Sequence, residues 1–449
     1  NPLLTYQKKN IMPGQHASSL QLIALSEHNQ HLTGNPTESN FTVYSGEPDA
    51  TVLRMKHAVR TNYALDNERI DLDGNAYLGQ RTVTEVKKQA DLLRSLYVCV
   101  DLPGLRAKDP DGDDPFYIDR LGFKMIDRIE LRIGNQVIES LDGDYLDIVA
   151  ALEGETRRAT LSQLIFNYKN DADRIAASSI AQRLYVPIPF FFTSSMLNAL
   201  PLAGIPYHKV QIEMVLKPLS DLVEHYANAE IRQSIDLIGQ SRKGKSEDDE
   251  LSTQPTNRDT SVFLECGFVY LDEAEHQHVQ EADNSFLITQ VQRLSKPVTN
   301  GYKQEIRLPF NHPVRELVWT VKDAQPEIAD GLMIPDPVAS VMMRLNNHPR
   351  YNMNGGSPVE GRYFRTVQPY EMHGEVPADS DDQFYYCYSF DLDPQSPSPG
   401  GSLNCSRVDH AVMEFEFEQQ YTAGEFVLFA RNWNVVHIKD QKVSLAYAS

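Results

Sequence analysis

Apolar and polar residues alternate with period two over short segments separated by turn formers, and this pattern restricts the chain to β-rich architectures. At 126–134, IDRIELRIG sets Ile129, Leu131 and Ile133 against Arg128, Glu130 and Arg132, with one slip near Ile126. Such alternation describes a strand with one buried face. NQVIESLDG follows as its partner, and Gly134-Asn135 suits a two-residue hairpin turn. YHKVQIEMVLK at 207–217 alternates Val210, Ile212, Met214 and Leu216 with Lys209, Gln211 and Glu213, and AVMEFEFE at 411–418 repeats the motif. RTVTEV at 81–86 and the apolar LLRSLYVCVDL at 92–102 also read as strands.

Helical signals are short. DYLDIVAAL at 144–152 spaces Leu146, Val149, Ala150 and Leu152 for one helix face and opens on acidic residues, which favour a helix N-terminus. RLYVPIPFFF at 183–192 carries two prolines, which suits an edge strand or a strand end. SSMLNALPL at 194–202 predicts a short helix stopped before Pro201. The second half repeats this layout. VFLECGFVYL (262–271), QEIRLPF (304–310), VRELVWTVKD (314–323), FYYCYSFDL (384–392) and the closing FVLFARNWNVVHIKDQKVSLAY read as strands. DEAEHQHVQEA (272–282) reads as a helix, and EGRYFRTVQPY (360–370) as a helix or turn ending at Pro369. A repeat near half the chain length is too long for a solenoid and suits a duplicated domain. The result is an all-β chain of two consecutive sandwiches or barrels, with short helices in the connections. Residues 1–30 lack sustained periodicity and read as an arm. QSRKGKSEDDELSTQPTNRDTS at 240–261 reads as an exposed polar loop.

Composition narrows the function. Sixty-two acidic against 42 basic residues give a net charge of −20, a poor match to phosphate neutralisation, so direct nucleic-acid binding is not expected. Cys99, Cys266, Cys387 and Cys405 stand far apart with no C-x-x-C pair; Cys99 and Cys387 sit in apolar strand-like runs and read as buried free thiols, which favours a reducing compartment. No run of about 20 apolar residues could span a membrane as a helix. The first residues, NPLLTYQKKNIMPGQ, lack the apolar core of a signal peptide.

Candidate chemistry is sparse. His276 and His278, flanked by Glu273 and Glu275, come nearest to a metal cluster. On a helix, residues two apart point to different faces, and zinc needs three or four converging ligands. DLDGN (71–75) and DPDGDD (109–114) resemble calcium loops but place glycine fourth instead of sixth, which fits Asp-Gly turns. No G-x-S-x-G elbow, P-loop or dinucleotide fingerprint occurs. No catalytic residue, cofactor or metal is therefore nominated. Asn40 and Asn404 head N-x-S/T sequons and are candidate glycosylation sites.

Several segments, in order, resemble the major capsid proteins of nucleocytoplasmic large DNA viruses. HLTGNP (31–36) with RTNYAL (60–65) resembles the family's opening strand region, and RLYVPIPFFF…NALPLAGIPYHKVQIEMVLKPLSDLV (183–223) its most distinctive stretch. YLDEAEHQH…FLITQVQRL (270–294) resembles the passage into the second domain. NHPVRELVWTVKD (311–323), RYFRTVQPYEMHGEVP (362–377) and GSLNCSRVDHAVMEF (401–415) resemble second-domain signatures. The segment NFTVYSGEPDATVLRMKH (40–57) is less aromatic and basic than the family's opening strand.

The resemblance implies a double jelly roll, with an arm at 1–30, a first jelly roll at 31–223, a connecting segment at 224–261 and a second jelly roll at 262–449. It further implies a non-enzymatic homotrimeric capsomer of pseudo-hexagonal outline, tiling an icosahedral shell with neighbouring capsomers and minor capsid proteins. That shell would lie near an internal viral membrane, in a virion assembled in the host cytoplasm. The competing readings are a carbohydrate-binding or carbohydrate-active β-sandwich, which predicts paired carboxylates in an aromatic-lined cleft, and a cupin-type metalloenzyme, which predicts converging His and Glu.

Overall fold

The computed structural model describes residues 61–152, 161, 163–168, 170–233, 254–298, 303–322, 338–350, 358–374, 376, 384–417 and 424–447. The expected arm, HLTGNP, Asn40 and most of the polar loop lie outside them.

Among the described residues the first half contributes eight principal strands: β1 (Tyr63–Asp71), β2 (Arg81–Glu85), β3 (Leu92–Leu102), β4 (Ile126–Ile133), β5 (Gln136–Asp142), β6 (Gln182–Pro187), β7 (Val210–Leu216) and β8 (Ser261–Leu271). They form two antiparallel sheets, ordered β1-β8-β3-β6 and β2-β7-β4-β5. Residues of both sheets meet in one apolar core, with Leu96, Val98 and Val100 from β3 joining Ile129 and Leu131 from β4 and Ile212 and Met214 from β7.

The second half contributes β9 (Asn284–Pro297), β10 (Lys303–Arg307), β11 (Pro313–Lys322), β12 (Val338–Leu345), β13 (His348–Pro349), β14 (Tyr385–Ser389), β15 (Ala411–Phe417) and β16 (Glu425–Lys439). Its sheets are ordered β9-β16-β11-β14 and β10-β15-β12-β13. Adding eight to each strand number of the first half reproduces this order, which is the eight-stranded jelly-roll pattern in duplicate. The duplication reaches single turns. The β4–β5 hairpin turns on Gly134 and Asn135 at φ 58° and 68°, and the β12–β13 hairpin on Asn346 and Asn347 at φ 49° and 66°. Positive φ at both central residues gives a type I′ turn, whose twist matches the flanking strands.

Two expectations change. The sequence reading places Val262–Leu271 in the second jelly roll. β8 instead pairs along its length with β1 (Leu65↔Val269) and β3 (Cys99↔Phe263), so it closes the first. The eighth strand of a jelly roll returns between the first and third strands, and an apolar run does not carry the identity of its neighbours. The helix expected to stop at Pro369 continues: a π-helical turn at Tyr363–Val367, closed by the Gln368 N–H on the Tyr363 carbonyl, runs into α4 (Gln368–His373), which carries Pro369 in its first turn.

The principal described helices are α1 (Gly143–Leu152), α2 (Asp171–Ser178), α3 (Glu273–Glu281) and α4 (Gln368–His373). The expected helix at 194–202 reduces to a 3-10 turn at Met196–Asn198, followed by a short pairing of Leu200–Pro201 with β3.

Three strands of the β9-β16-β11-β14 sheet, β16, β11 and β14, are dry on both faces, while the edge strand β9 fully buries only Ile288. From β16, Phe426, Leu428 and Ala430 enter the second jelly roll's own core, while Val427, Phe429, Val436 and Ile438 enter the core of the first. β11 divides Trp319 and Val318 in the same way, and β14 divides Tyr386 and Tyr385. A strand buried on both faces reads as a continuous apolar run, which accounts for FYYCYSFDL and FVLFARNW. Across this wall α1 packs Tyr145 against Phe429, with the rings tilted and their centroids 5.6 Å apart.

Candidate functional site

The described residues bury seven carboxylates, and where each finds its countercharge separates scaffold from chemistry. A buried charge is tolerated only when paired and hydrogen-bonded. Asp101 meets Arg183 at 2.5 Å, Glu130 meets Arg132 at 2.8 Å, Glu213 meets Arg81 at 2.6 Å, and Asp391 meets Arg315 at 3.3 Å. Three of these pairs follow from strand geometry: Asp101 and Arg183 face each other across β3–β6, while Glu213 and Glu130 pair in register across β7–β4 with arginines beside them. Alternating Arg and Glu on a strand thus places charges in a ladder, as the IDRIELRI pattern suggests.

The junction between the jelly rolls has its own network. Arg120 donates from Nη1 to both oxygens of Asp147 on α1 at 2.8 Å, and the Tyr385 hydroxyl on β14 donates to Asp147 Oδ2 at 2.9 Å. The Arg120 guanidinium also reaches the Tyr385 hydroxyl directly. At the rim, Asp142 lies 3.4 Å from Arg293, and Asp144 pairs with Lys322. Acid from the first jelly roll therefore meets base from the second.

A second buried cluster gathers Glu316 on β11, His373 at the end of α4, Cys387 on β14 and Arg431 on β16. One donor atom from each of Glu316, His373 and Cys387 falls within 4.8 Å of the others, the spacing of a possible metal set. Their partners fit an ion cluster better. His373 Nε2 lies 2.5 Å from Glu316 Oε1, and Arg431 Nη1 donates to Glu316 Oε2 at 2.7 Å, so both carboxylate oxygens are engaged. Burial opposes the charge of Glu316, but His373 and Arg431 outweigh it and hold the carboxyl below its usual range. Burial pushes the Cys387 thiol well above its usual range, leaving it neutral, whereas metal ligation takes a thiolate. This cluster was not legible in the sequence: Glu316 and His373 lie 57 residues apart.

The sequence-nominated groups do not converge. His276 Nδ1 contacts Asp91 Oδ1 at 2.6 Å, while His278 is exposed. In DPDGDD the loop is tied down by Asn228, whose Nδ2 donates to the Asp109 and Asp113 carbonyls and whose Oδ1 accepts from the Asp109 N–H. In DLDGN, Gly74 takes φ 95°, as the turn reading requires. Asn404 is exposed at the head of a 3-10 turn; Asn40 lies outside the described residues. Cys99, Cys266 and Cys387 are buried free thiols. Burial pushes Cys99 and Cys266 up to about 12, far from the range of a reactive thiolate. No described helix is long and apolar enough to cross a membrane.

Comparison with known proteins gives one consistent result. A family model described as "Large eukaryotic DNA virus major capsid protein" matches residues 275–442, and one described as "Major capsid protein N-terminus" matches residues 51–272. The chain is 26% identical to the major capsid protein of Pyramimonas orientalis virus, over 90% of this chain and 96% of that protein. It is 26% identical to that of Paramecium bursaria Chlorella virus 1, over 96% of this chain and 99% of the relative. The crystal structure of PBCV-1 VP54 superposes with a TM-score of 0.70 at 22% identity, over 89% of this chain and 100% of that one. The Faustovirus major capsid protein superposes at 0.59 and 10% identity, over 95% and 98%. At these identities the structural matches show the shared double jelly-roll fold. The N-terminal match ends at residue 272, one residue past the end of β8.

Proposed function

The chain belongs to the major capsid protein family of large eukaryotic DNA viruses and has a structural role in the capsid, and from that premise we propose that three copies form one capsomer of pseudo-hexagonal outline. The observation that carries this reading is the duplicated strand order, β1-β8-β3-β6 against β9-β16-β11-β14. One chain presents two similar sandwiches, so a ring of three presents six, and repeated heterologous contacts close such a ring. The buried Arg120–Asp147–Tyr385 network and the shared sheet hold the two sandwiches of one chain in fixed relation, as a tile requires. Capsomers of this kind would tile an icosahedral shell with minor capsid proteins bridging them near an internal membrane, assembling in the host cytoplasm. Electron-microscopic class averages of the purified protein test the reading. Three-fold particles with six lobes are expected; single two-lobed particles at every concentration would contradict it.

A further inference from the structure

Among the described residues, Glu139 is the one carboxylate of the seven beside which no cation stands, and it lies at the junction of the two jelly rolls. It lies on β5, 4% exposed, on the wall of a cavity of about 640 Å³ between the halves. Its Oε2 accepts from the Phe191 N–H at 2.9 Å. Phe191 in turn packs on Phe286 of β9, with centroids 5.9 Å apart, and on Phe192 at 5.6 Å. One residue before Glu139, the Ile138 carbonyl accepts from Gln290 Nε2 of β9 at 2.7 Å. The carboxyl thus lies beside two cross-junction contacts.

The other charged or titratable groups on the cavity wall are Tyr97 of β3, Tyr145 of α1, Arg315 of β11 and Arg431 of β16; the segment after β6 and the lining part of β9 offer none. Both arginines have acids of their own, Asp391 and Glu316. Burial dominates the carboxyl and raises it from 4.5 to about 8, with the Phe191 N–H working in the opposite direction.

We propose that Glu139 is a proton-operated lock on the junction between the two jelly rolls, closed while the carboxyl is neutral and released when it ionises. On release the carboxyl proton passes to solvent and the carboxylate is left buried without a cation. Hydrating it draws water through the cavity to the Phe191–Phe286 contact and loosens the segments on either side.

Hydrogen exchange on the full-length protein at pH 6.5 and pH 9, corrected for base catalysis, tests this. Between pH 6.5 and pH 9, protection at 187–192 and 284–291 should fall about thirtyfold, most of it before pH 8 is passed, while β1 and β8 keep theirs. Glu139→Gln and Glu139→Leu, which cannot ionise, should abolish the fall. Equal protection of the wild type at both pH values, loss spread evenly over the chain, or an identical fall in either variant would overturn the proposal. The wild-type comparison decides even if neither variant folds.

Discussion

At the residue scale, stability rests on charges that are buried and answered. Asp147 stands between Arg120 and Tyr385, all three buried. Removing one member of such a set strands the others, at about 3–5 kcal/mol for a charge and about 1–3 kcal/mol for a neutral partner. Asp147→Ala should therefore lower the unfolding free energy by about 3–5 kcal/mol and Tyr385→Phe by about 1–3 kcal/mol. Denaturant titration measures both, and losses below about 0.5 kcal/mol, the range of ordinary surface substitutions, would remove the network from the account. Two carboxyls set opposite pH limbs. Glu316 is held below its ordinary 4.5, so its contribution is present above that value and lost as the pH falls through its lowered one. Glu139 is raised from 4.5 to about 8, so its contribution is complete below 4.5 and lost as the pH rises towards 8. Thermal melts across pH should show Glu316→Gln flattening the acid limb and Glu139→Gln flattening the fall between pH 4.5 and about 8; unchanged limbs would contradict the assignments.

At the element scale, turns and close approaches fix the register. Gly134 sits at φ 58°, and a Cβ there would meet His208 Nδ1 at 1.9 Å. Gly143 opens α1 where a Cβ would meet the carbonyl oxygens of Ile126 and Phe123 at 2.2 and 2.3 Å, and backbone cannot swing aside as a side chain can. Gly143→Ala should cost at least about 1–3 kcal/mol, and a melting temperature equal to wild type would show that α1 is not seated as described. The one-faced strands were legible in sequence because alternation survives where one face is wet, as in β15, where Ala411, Met413, Phe415 and Phe417 alone are buried. β8 and the inner strands of the shared sheet were legible as strands but not in their pairing, because strands dry on both faces lose the alternation that would assign them a partner. The Gly134-Asn135 turn was also legible, since its residue types state the φ they need. The Glu316–His373–Arg431 cluster was not, because long-range pairing alone assembles it.

At the scale of the whole molecule, the two jelly rolls share a core through the β9-β16-β11-β14 sheet, so they should unfold together. The chain's two tryptophans, Trp319 and Trp433, both lie in the second half, whereas far-ultraviolet dichroism reports both halves. The two signals should trace one transition in denaturant; a tryptophan transition separate from the dichroism would show independent units. A rigid double unit is what a shell built from repeated copies needs. The central claim, that this chain is a capsid building block that closes into threes, is tested most directly by its mass in solution. Light scattering across a concentration series should find a species of three times the chain mass, and a single-chain mass at every concentration would contradict the account.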